Sequence, residues 1–242
     1  MKSLDYSSSV VLLSGGLDST CALIQTKLDF TGAVYALSIQ YGQRHVNEVA
    51  KAIEIAQALM IPIKVLDLTQ LGGLLAGSAL LSPCAEIPKG HYKDLTMKAT
   101  VVPNRNMILL ALAGGYAIAQ GVGNVVIAAH AGDHAIYPDC RQEFLDAMNR
   151  ALGVCHYEPV MIQRPFVQLS KAELLSQTIT NSWANLGFRS EQAMASFLGV
   201  HTWSCYEGKE FHCGRCGTCV ERKEAFAESS YIDTTVYLES TS

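Results

Sequence analysis

The chain has 242 residues, of which 49 % are hydrophobic and 17 % are charged, and its formal net charge at pH 7 is −4. This composition supplies enough apolar surface for one large core, and it excludes intrinsic disorder as the main state. The acidic balance argues against a protein that mainly grips a polynucleotide backbone, because such proteins usually carry a basic surface.

The sequence also lacks the signs of a membrane or secretory segment. No apolar run reaches the roughly 18 residues of a membrane-spanning helix, and residues 1–5 lack the charged and apolar regions of a signal peptide. Four of the eight cysteines lie between residues 205 and 219, which indicates metal binding in a reducing compartment. We therefore expect a cytoplasmic globular protein with no membrane and no nucleic-acid partner.

Strands and helices alternate along the chain. Residues 9–13 form a short apolar run typical of a strand buried on both faces, and residues 17–28 have helical spacing. The alternation continues with predicted strands at 33–39, 63–68, 124–129 and 159–166, and with predicted helices at 46–60, 106–120, 141–152, 171–186 and 216–226. This order predicts a doubly wound α/β fold, a parallel sheet covered by helices on both faces. Such sheets bind ligands beyond the carboxyl ends of the strands, where the strand order reverses.

Residues 70–102 interrupt this alternation. They contain several glycines and prolines without sustained periodicity, and loops of this length are uncommon in compact domains unless they are functional. We predict that this lid-like segment covers a substrate; the alternative is a mobile excursion on the surface. Residues 1–198 are predicted to form the α/β domain, and residues 199–242 a metal-binding segment packed on it.

Residues 14–20, Ser-Gly-Gly-Leu-Asp-Ser-Thr, lie between the first strand and the first helix. Glycines permit close backbone approach, and amides at a helix N-terminus favour an anion. The turn lacks the lysine that a Walker loop requires, and it lacks the G-x-G-x-x-G dinucleotide pattern. Its carboxylate, Asp18, fits a loop that binds phosphates together with Mg²⁺. The alternative is an ordinary turn whose polar residues only cap the helix.

Four cysteines near the C-terminus have the spacing C-x7-C-x2-C-x2-C, at Cys205, Cys213, Cys216 and Cys219. Four thiolates at such spacings match a tetrahedral structural Zn²⁺ site, and they leave no open position for a catalytic water. An iron–sulfur cluster could use the same ligands, and His201 or His212 could replace a cysteine that faces away. The metal would stabilise a C-terminal helix that is short and marginal by itself.

Two further groups of polar residues are candidates for ligand binding. Lys98 precedes the apolar helix and Arg105 stands at its start, where a cation opposes the helix dipole, so that an anionic ligand is the better explanation. The loop at 130–141 leaves the carboxyl end of a predicted strand. In it, Asp139 and Arg141 could read a polar heterocycle, because the carboxylate accepts from N–H groups and the guanidinium donates in a fork. The alternative is a surface salt bridge between neighbours.

The turn at 14–20 resembles the pyrophosphate-binding loop of the ATP pyrophosphatase (PP-loop) family, which grips the β- and γ-phosphates and leaves the α-phosphate open to attack. Further motifs extend the likeness to residue 219, namely Tyr-Gly-Gln-Arg-His at 41–45, Pro-Asn-Arg-Asn at 103–106, Tyr-Pro-Asp-Cys-Arg at 137–141, Thr-Trp-Ser-Cys-Tyr at 202–206 and His-Cys-Gly-Arg-Cys-Gly-Thr-Cys at 212–219. Together they closely resemble the 7-cyano-7-deazaguanine synthase (QueC) family. At 134–136 the chain has His-Ala-Ile, where many relatives have a Phe-Ser-Gly type string.

The resemblance implies a PP-loop fold and an ATP-dependent carbon–nitrogen ligase that makes 7-cyano-7-deazaguanine (preQ0), a queuosine precursor, from 7-carboxy-7-deazaguanine and ammonia. It implies ATP with Mg²⁺, a homodimer, and a structural Zn²⁺ on the four cysteines. ATP would contact Leu13, Ser14, Gly15, Gly16, Leu17, Asp18, Ser19, Thr20, Cys21, Ala22 and Leu23. Catalytic roles would fall to Asp18, Ser19, Lys98 and Arg105, and substrate contacts to Arg105, Asp133, Tyr137, Asp139 and Arg141. The sequence identifies no general base.

Three other functions remain open. One is a QueC-like enzyme that uses the same amide and nitrile chemistry on another acceptor. Another is a PP-loop tRNA sulfur transferase, with an iron–sulfur cluster on the cysteines and with Cys140 or Cys21 carrying sulfur, although the acidic balance argues against tRNA. The third is a zinc-knuckle nucleic-acid module, which leaves the turn at 14–20 unexplained.

Overall fold

The computed structural model describes residues 3–44, 47–75, 77–82, 85–90 and 95–238. The strands of this part are β1 (Asp5–Leu12), β2 (Val34–Gln40), β3 (Ile63–Asp67), β4 (Val122–Val126) and β5 (Met161–Gln163). The α-helices are α1 (Leu17–Asp29), α2 (Asn47–Ala58), α3 (Leu71–Leu74), α4 (Arg105–Gln120), α5 (Gln142–Val154), α6 (Lys171–Ser182), α7 (Glu191–His201) and α8 (Gly217–Glu228). Short 3-10 helices span Leu95–Thr100, Ala131–Ala135 and Pro138–Cys140.

The strands form one parallel sheet in the order β3-β2-β1-β4-β5, which confirms the predicted doubly wound fold. β1 lies in the middle, where Val10 pairs with Tyr35 of β2 on one side and with Val125 of β4 on the other. The chain builds the sheet outward to β3 and then crosses to the other side of β1, so the strand order reverses between β1 and β4. The crevice beyond the carboxyl ends of these two strands is the expected ligand site.

Helices cover both faces of the sheet. Neighbouring residues of β1 point to opposite faces, so Val11 belongs to the buried cluster that contains residues of α1, α2, α6, α7 and α8, whereas Val10 belongs to the cluster that contains residues of α4 and α5. Both valines are fully buried. Burial on both faces explains why this strand has a continuous apolar sequence and not an alternating one.

Most predicted element boundaries agree with the structure within a few residues. β4 ends at Val126 and not at 129, and residues 127–129 line a cavity beyond the strand end. α6 ends at Ser182, four residues before the predicted end, and α7 is absent from the predicted elements. The Ser-Glu pair at 190–191 is the local signal for α7, since Ser190 Oγ accepts a hydrogen bond from the Ala193 amide (3.1 Å).

The described part of the segment 70–102 packs on the cysteine-containing segment. Its Lys89 forms a β-bridge with Cys216, and the Gly90 amide donates to the Arg215 carbonyl over 3.2 Å. Leu80 belongs to a buried cluster that also contains Trp203 and the four cysteines, and it lines the same cavity as residues 127–129. The covering role of the segment stays a prediction.

The C-terminal segment is joined closely to the rest of the fold. The predicted boundary at residue 198 falls inside α7, and the fully buried Arg222 of α8 donates to the carbonyls of Leu198 and Gly199, both over 3.1 Å. The division of the chain at this point stays a prediction. Among the helices of the described residues, none combines the length and the apolar character that a membrane span requires.

Candidate active site

The turn at 14–20 joins β1 to α1. Gly15 has a φ of 90°, and a Cβ atom at this position would lie 2.1 Å from the carbonyl oxygen of Glu48, so only glycine fits there. Gly16 is the N-cap residue of α1 and has no side chain with which to bond the first amides of the helix. The amides at the start of α1 can therefore bind an anion.

Hydroxyl groups stabilise this turn from within. The Oγ atoms of Ser14 and Ser19 lie 3.0 Å apart, and the Gly16 amide donates to Ser14 Oγ over 3.2 Å. Among the residues predicted to contact ATP, those that line the neighbouring cavity are Leu13, Ser14, Gly16, Leu17, Asp18 and Ser19. Residues 20–23 are fully buried within α1, and Gly15 packs against α2. These five residues therefore support the conformation of the turn and do not line the cavity.

A cavity of about 230 Å³ opens beyond the carboxyl ends of β1, β2 and β4. One part of its wall is apolar and comes from the strand ends: Leu12, Leu13, Leu37, Ile39, Ile127, Ala128 and Ala129. The other part is polar, and it comes from the turn at 14–20, the start of α4, the loop after β4 and the cysteine-containing segment. This division suits ligands that join a flat apolar ring to a charged group.

A buried lysine stands beside the turn. Lys171, the first residue of α6, is 8 % exposed, and its Nζ lies 3.2 Å from Asp18 Oδ2 and 2.5 Å from Glu221 Oε2. Burial alone would lower the pKa of Lys171, but the two carboxylates overcome this effect and raise the pKa above its ordinary value. Burial raises the pKa of Glu221, against the effect of Lys171. Lys171 therefore places a full positive charge next to the turn.

His130 lies among the same carboxylates. Its Nδ1 accepts a hydrogen bond from the Gly132 amide (3.1 Å), so Nε2 carries the proton of the neutral ring. Nε2 lies 3.7–4.0 Å from carboxylate oxygens of Asp18, Asp133 and Glu221, too far for a hydrogen bond. Within the described residues, this nitrogen and Asp18 Oδ1 are buried without a hydrogen-bond partner. Three carboxylates against one ammonium group leave a negative excess, which suits a hydrated divalent cation.

Aromatic residues surround Arg105 on the other side of the cavity. Its guanidinium carbon lies 5.5 Å from the centre of the Tyr137 ring. The Tyr137 hydroxyl is 2.7 Å from Thr100 Oγ1 and 3.1 Å from the Tyr206 hydroxyl, so hydrogen bonds connect the loop after β4 with the 3-10 helix before α4 and with the cysteine-containing segment. Arg105 is thus held at the cavity wall, where it can meet an anionic group.

Glu48 of α2 is a further ionisable residue of the cavity wall. Burial raises the pKa of Glu48 to about 8, although the charge of Arg105 acts in the opposite direction. Burial also raises the pKa of Tyr41, with Arg105 again opposing the effect. This corner of the cavity therefore contains a carboxyl group whose pKa is raised well above its ordinary value.

Among the residues predicted for catalysis or substrate contact, Lys98, Asp139 and Arg141 lie outside the set of described residues that line the cavity. Lys98 is exposed on the 3-10 helix before α4. Asp139 Oδ2 accepts from the Asn106 amide (3.0 Å) and so caps the first turn of α4. Arg141 Nε donates to the His134 carbonyl (2.9 Å) and stabilises the loop after β4. Their functional roles stay predictions.

The cysteines near the C-terminus form a closed group. The four Sγ atoms lie within 4.8 Å of one another, and all four residues are buried: Cys205, Cys213, Cys216 and Cys219. Sγ of Cys213 is 4.0 Å from that of Cys219, close to the roughly 3.8 Å that tetrahedral Zn–S bonds of about 2.3 Å would produce. His212 Nε2 accepts from the Ser204 amide (3.1 Å), which gives this histidine a structural role. The cluster could hold a metal ion on four sulfurs.

The cysteine-containing segment also forms part of the cavity. Trp203, Ser204, Tyr206 and Thr218 line its wall, and the Trp203 amide donates to the Gly15 carbonyl over 2.9 Å. A metal bound to the cysteines would therefore hold cavity residues in position as well as α8.

Two other cysteines lie close to the site, and neither is activated. Burial raises the pKa of Cys21 to about 12, and burial also raises the pKa of Cys140. Cys140 Sγ accepts a hydrogen bond from Asn106 Nδ2 over 3.2 Å. Because the thiolate is the nucleophilic form, both environments argue against a role in sulfur transfer.

The sequence reasoning did not include Lys171, Glu221, His130 or Glu48 among the site residues. Lys171 has a local signal, because a lysine at the start of a helix opposes the helix dipole, as Arg105 does. Glu221 and His130 have no such signal, since only folding brings α8 and the loop after β4 to the same turn.

The comparisons with known proteins show the family of the chain. The family model of the queuosine biosynthesis protein QueC matches residues 8–230. A 7-cyano-7-deazaguanine synthase of Marinobacter nauticus is 46 % identical over 230 residues, which cover 95 % of this chain and 97 % of the relative. Proteins of the same name from Marinomonas sp. and Methanoregula boonei are 45 % and 43 % identical, with 95 % of this chain covered in both and 97 % and 98 % of the relatives. The chain therefore belongs to the QueC family.

Proposed function

We propose that this protein converts 7-carboxy-7-deazaguanine, ammonia and ATP into 7-cyano-7-deazaguanine, as an ATP-dependent carbon–nitrogen ligase of queuosine precursor synthesis. A carboxylate is a poor electrophile, because it is anionic and its leaving group would be oxide. Transfer of AMP to the carboxylate replaces that leaving group with a good one. Ammonia then gives the amide, and a second adenylation at the amide oxygen, followed by loss of AMP, gives the nitrile.

The ATP would lie between the apolar strand ends and the turn at 14–20. The amides at the start of α1 and the Lys171 ammonium would bind the β- and γ-phosphates, since both offer fixed positive charge to an anion. The substrate carboxylate would then attack the α-phosphorus, and the bond to the β-phosphate oxygen would break with its electron pair leaving on pyrophosphate. Positioning and electrostatic stabilisation are the main contributions of the protein to this step.

The residues around the turn fit a Mg²⁺ ion that accompanies ATP. Asp18 Oδ1 is buried without a hydrogen bond, and Asp133 and Glu221 bring two more carboxylates to the same point. When bound, Mg²⁺ would neutralise charge on the phosphates. Asp18, Asp133 and Glu221 would hold it, and His130 Nε2–H would donate to a water or carboxylate beside it.

The deazaguanine would occupy the part of the cavity near Arg105. We assign the substrate carboxylate to Arg105, because this guanidinium is held at the cavity wall and retains its charge. The Tyr137 and Tyr206 hydroxyls would donate to or accept from the polar edge of the ring. The four cysteines fit a structural Zn²⁺, whose role is to hold the cavity wall formed by Trp203 and its neighbours. We further propose that two chains form a homodimer.

The observation that carries the proposal is the position of Asp18. This carboxylate lies in the glycine-rich turn, contacts Lys171 and lines the same cavity as the apolar strand ends. The test uses Asp18→Asn with the exposed Asp29→Asn of the same helix as its control. Asp18→Asn should lower substrate-dependent pyrophosphate release by about 10²-fold or more, because preorganised charge at such a centre contributes this much. Asp29→Asn should behave as the unmodified protein.

The products decide between this function and the alternatives. The full protein is incubated with ATP, ammonium and 7-carboxy-7-deazaguanine, and the nucleotides and bases are analysed by mass spectrometry. AMP, pyrophosphate and 7-cyano-7-deazaguanine support the proposal. ADP with orthophosphate, or full activity of Asp18→Asn, would overturn it.

A further inference from the structure

The amide-forming step needs a group that takes a proton from nitrogen. We propose that the Glu48 carboxylate is the general base that accepts this proton when ammonia attacks the adenylated carboxyl group. The inference deepens the proposed function and depends on it. It assigns a catalytic role to a residue of α2. This residue belongs neither to the Gly-rich turn, nor to the carboxylates around Lys171, nor to the cysteines.

The position of Glu48 places it near the reacting atoms. Its backbone carbonyl lies so close to Gly15 that no side chain fits between them, which fixes the start of α2 on the phosphate-binding turn. Its side chain lines the cavity together with Arg105, the residue assigned to the substrate carboxylate. The acyl adenylate must join the phosphate side of the cavity to the Arg105 side, so its carbonyl carbon lies between these two points.

The electrostatic surroundings suit a proton acceptor. The charged or ionisable groups that act on Glu48 include Arg105 of α4 and Tyr41 of the loop after β2. Burial raises the pKa of the Glu48 carboxyl to about 8, and the positive charge of Arg105 opposes that effect. A base with a pKa near the working pH combines a substantial ionised fraction with enough basicity to accept the proton.

The other ionisable groups of the cavity are less suited to this step. Asp18 and Lys171 contact each other, and Asp133 lies within 3.7 Å of His130 in the same carboxylate group, which the proposed function gives to the phosphates and their cation. The neighbouring carboxylates raise the pKa of Lys171 against the effect of burial, and burial raises the pKa of Cys140, so both stay protonated. Among the described residues, Glu48 is the carboxyl group of the cavity wall outside that cluster.

The chemical step balances with this assignment. The nitrogen lone pair of ammonia forms the bond to the carbonyl carbon, and the bond between that carbon and the adenylate oxygen breaks. The electron pair of the broken bond leaves on AMP. The nitrogen has one proton too many for a neutral amide, and this proton passes to the Glu48 carboxylate and then to solvent.

The experiment separates adenylation from attack by nitrogen, with Glu48→Gln as the variant. Exchange of labelled pyrophosphate into ATP, measured with the acid substrate and without ammonium, should stay within about threefold of the unmodified protein. Amide and nitrile formation from ammonium should fall by about 10²-fold or more, as is typical when a general base is removed. Hydroxylamine is mostly unprotonated at neutral pH and is a stronger nucleophile, so hydroxamate formation should lose much less than amide formation.

The pH dependence gives a second readout. Glu48 must be ionised to accept a proton, so the ammonia-dependent rate should rise with pH through a limb near 8 that Glu48→Gln lacks. Deprotonation of ammonium to ammonia produces a separate rise with pH that both proteins share. Glu54→Gln, an exposed position on the same helix, is the matched control and should behave as the unmodified protein.

The outcomes are distinguishable. If the unmodified protein exchanges no pyrophosphate, the proposed function fails. If exchange is normal and Glu48→Gln makes amide at the unmodified rate, only the role of Glu48 is refuted. If Glu48→Gln loses exchange, amide and hydroxamate formation equally, Glu48 binds the substrate and is not the base, which also refutes the inference.

Discussion

Arg222 is the most testable element of the C-terminal segment. This arginine is fully buried, and its guanidinium makes five hydrogen bonds, to Thr235 Oγ1 (2.9 Å), Thr202 Oγ1 (2.9 Å), Ser204 Oγ (2.9 Å), the Leu198 carbonyl (3.1 Å) and the Gly199 carbonyl (3.1 Å). These acceptors lie at the end of α7, in the segment before the cysteines and in the segment after α8. One side chain therefore connects all three parts around the metal-binding group.

The size of the effect follows from these contacts. In Arg222→Met the Leu198 and Gly199 carbonyls keep other donors, the amide and hydroxyl of Thr202 and the hydroxyl of Thr235, so they are not left without partners. The expected loss is therefore the net value of the bonds, at the lower end of about 0.5–1.5 kcal/mol each, or about 3 kcal/mol in total. Arg222→Ala adds a cavity and should cost about 2 kcal/mol more.

The assay is urea unfolding of the full, metal-loaded chain, followed by tryptophan fluorescence, since Trp203 adjoins two of the arginine's partners. The exposed Arg215→Ala on the same segment is the control, with an expected change within about 0.5 kcal/mol. An Arg222→Met variant as stable as this control would refute the reasoning, because it would mean that the five bonds contribute nothing net.

Three further predictions concern the turn, the metal site and pH. Gly15→Ala should abolish pyrophosphate exchange and lower the thermal midpoint, because its Cβ would collide with backbone atoms of α2 at a φ of 90°; Gly115→Ala, inside α4 with open space around it, should instead add about 0.5–1 kcal/mol of stability. Cys216→Ser should lower the Tm by about 6–12 °C, or about 3 kcal/mol, through loss of metal binding, whereas the exposed Cys155→Ser should leave the Tm unchanged. A chelator that leaves the Tm of both the unmodified protein and Cys155→Ser unchanged would contradict this. Glu48→Gln should stabilise the protein relative to the unmodified chain, increasingly as pH rises from about 5 to 8 and by a constant amount above that. The reason is that the folded state raises the pKa of this carboxyl to about 8 and so opposes its ionisation. If urea unfolding gives the same difference in stability between variant and unmodified protein at pH 6 and at pH 9, the pKa shift is refuted.

The candidate site divides into residues with a local signal and residues without one. The turn at 14–20 has a local signal, because glycines, a carboxylate and hydroxyls between an apolar strand and a helix together favour the binding of phosphates. The cysteines have one too, because ligand spacing is a short-range property. Asp139 and Arg141 show the limit of such signals, since the same residue types also cap a helix and hold a loop, and only contacts distinguish these uses.

The amino-acid sequence alone predicted the fold class, the glycine-rich turn between β1 and α1 and the group of cysteines that could hold a metal ion, because hydrophobic periodicity, turn chemistry and ligand spacing act over a few neighbouring residues. Only the tertiary structure decided which charges meet. Lys171, Glu221 and His130 come from three distant segments and converge on Asp18, and Glu48 and Arg105 line the same cavity and interact electrostatically. The physical reason is that electrostatic coupling and desolvation depend on distance in space, which the order of residues does not reveal until the sheet brings the strand ends together.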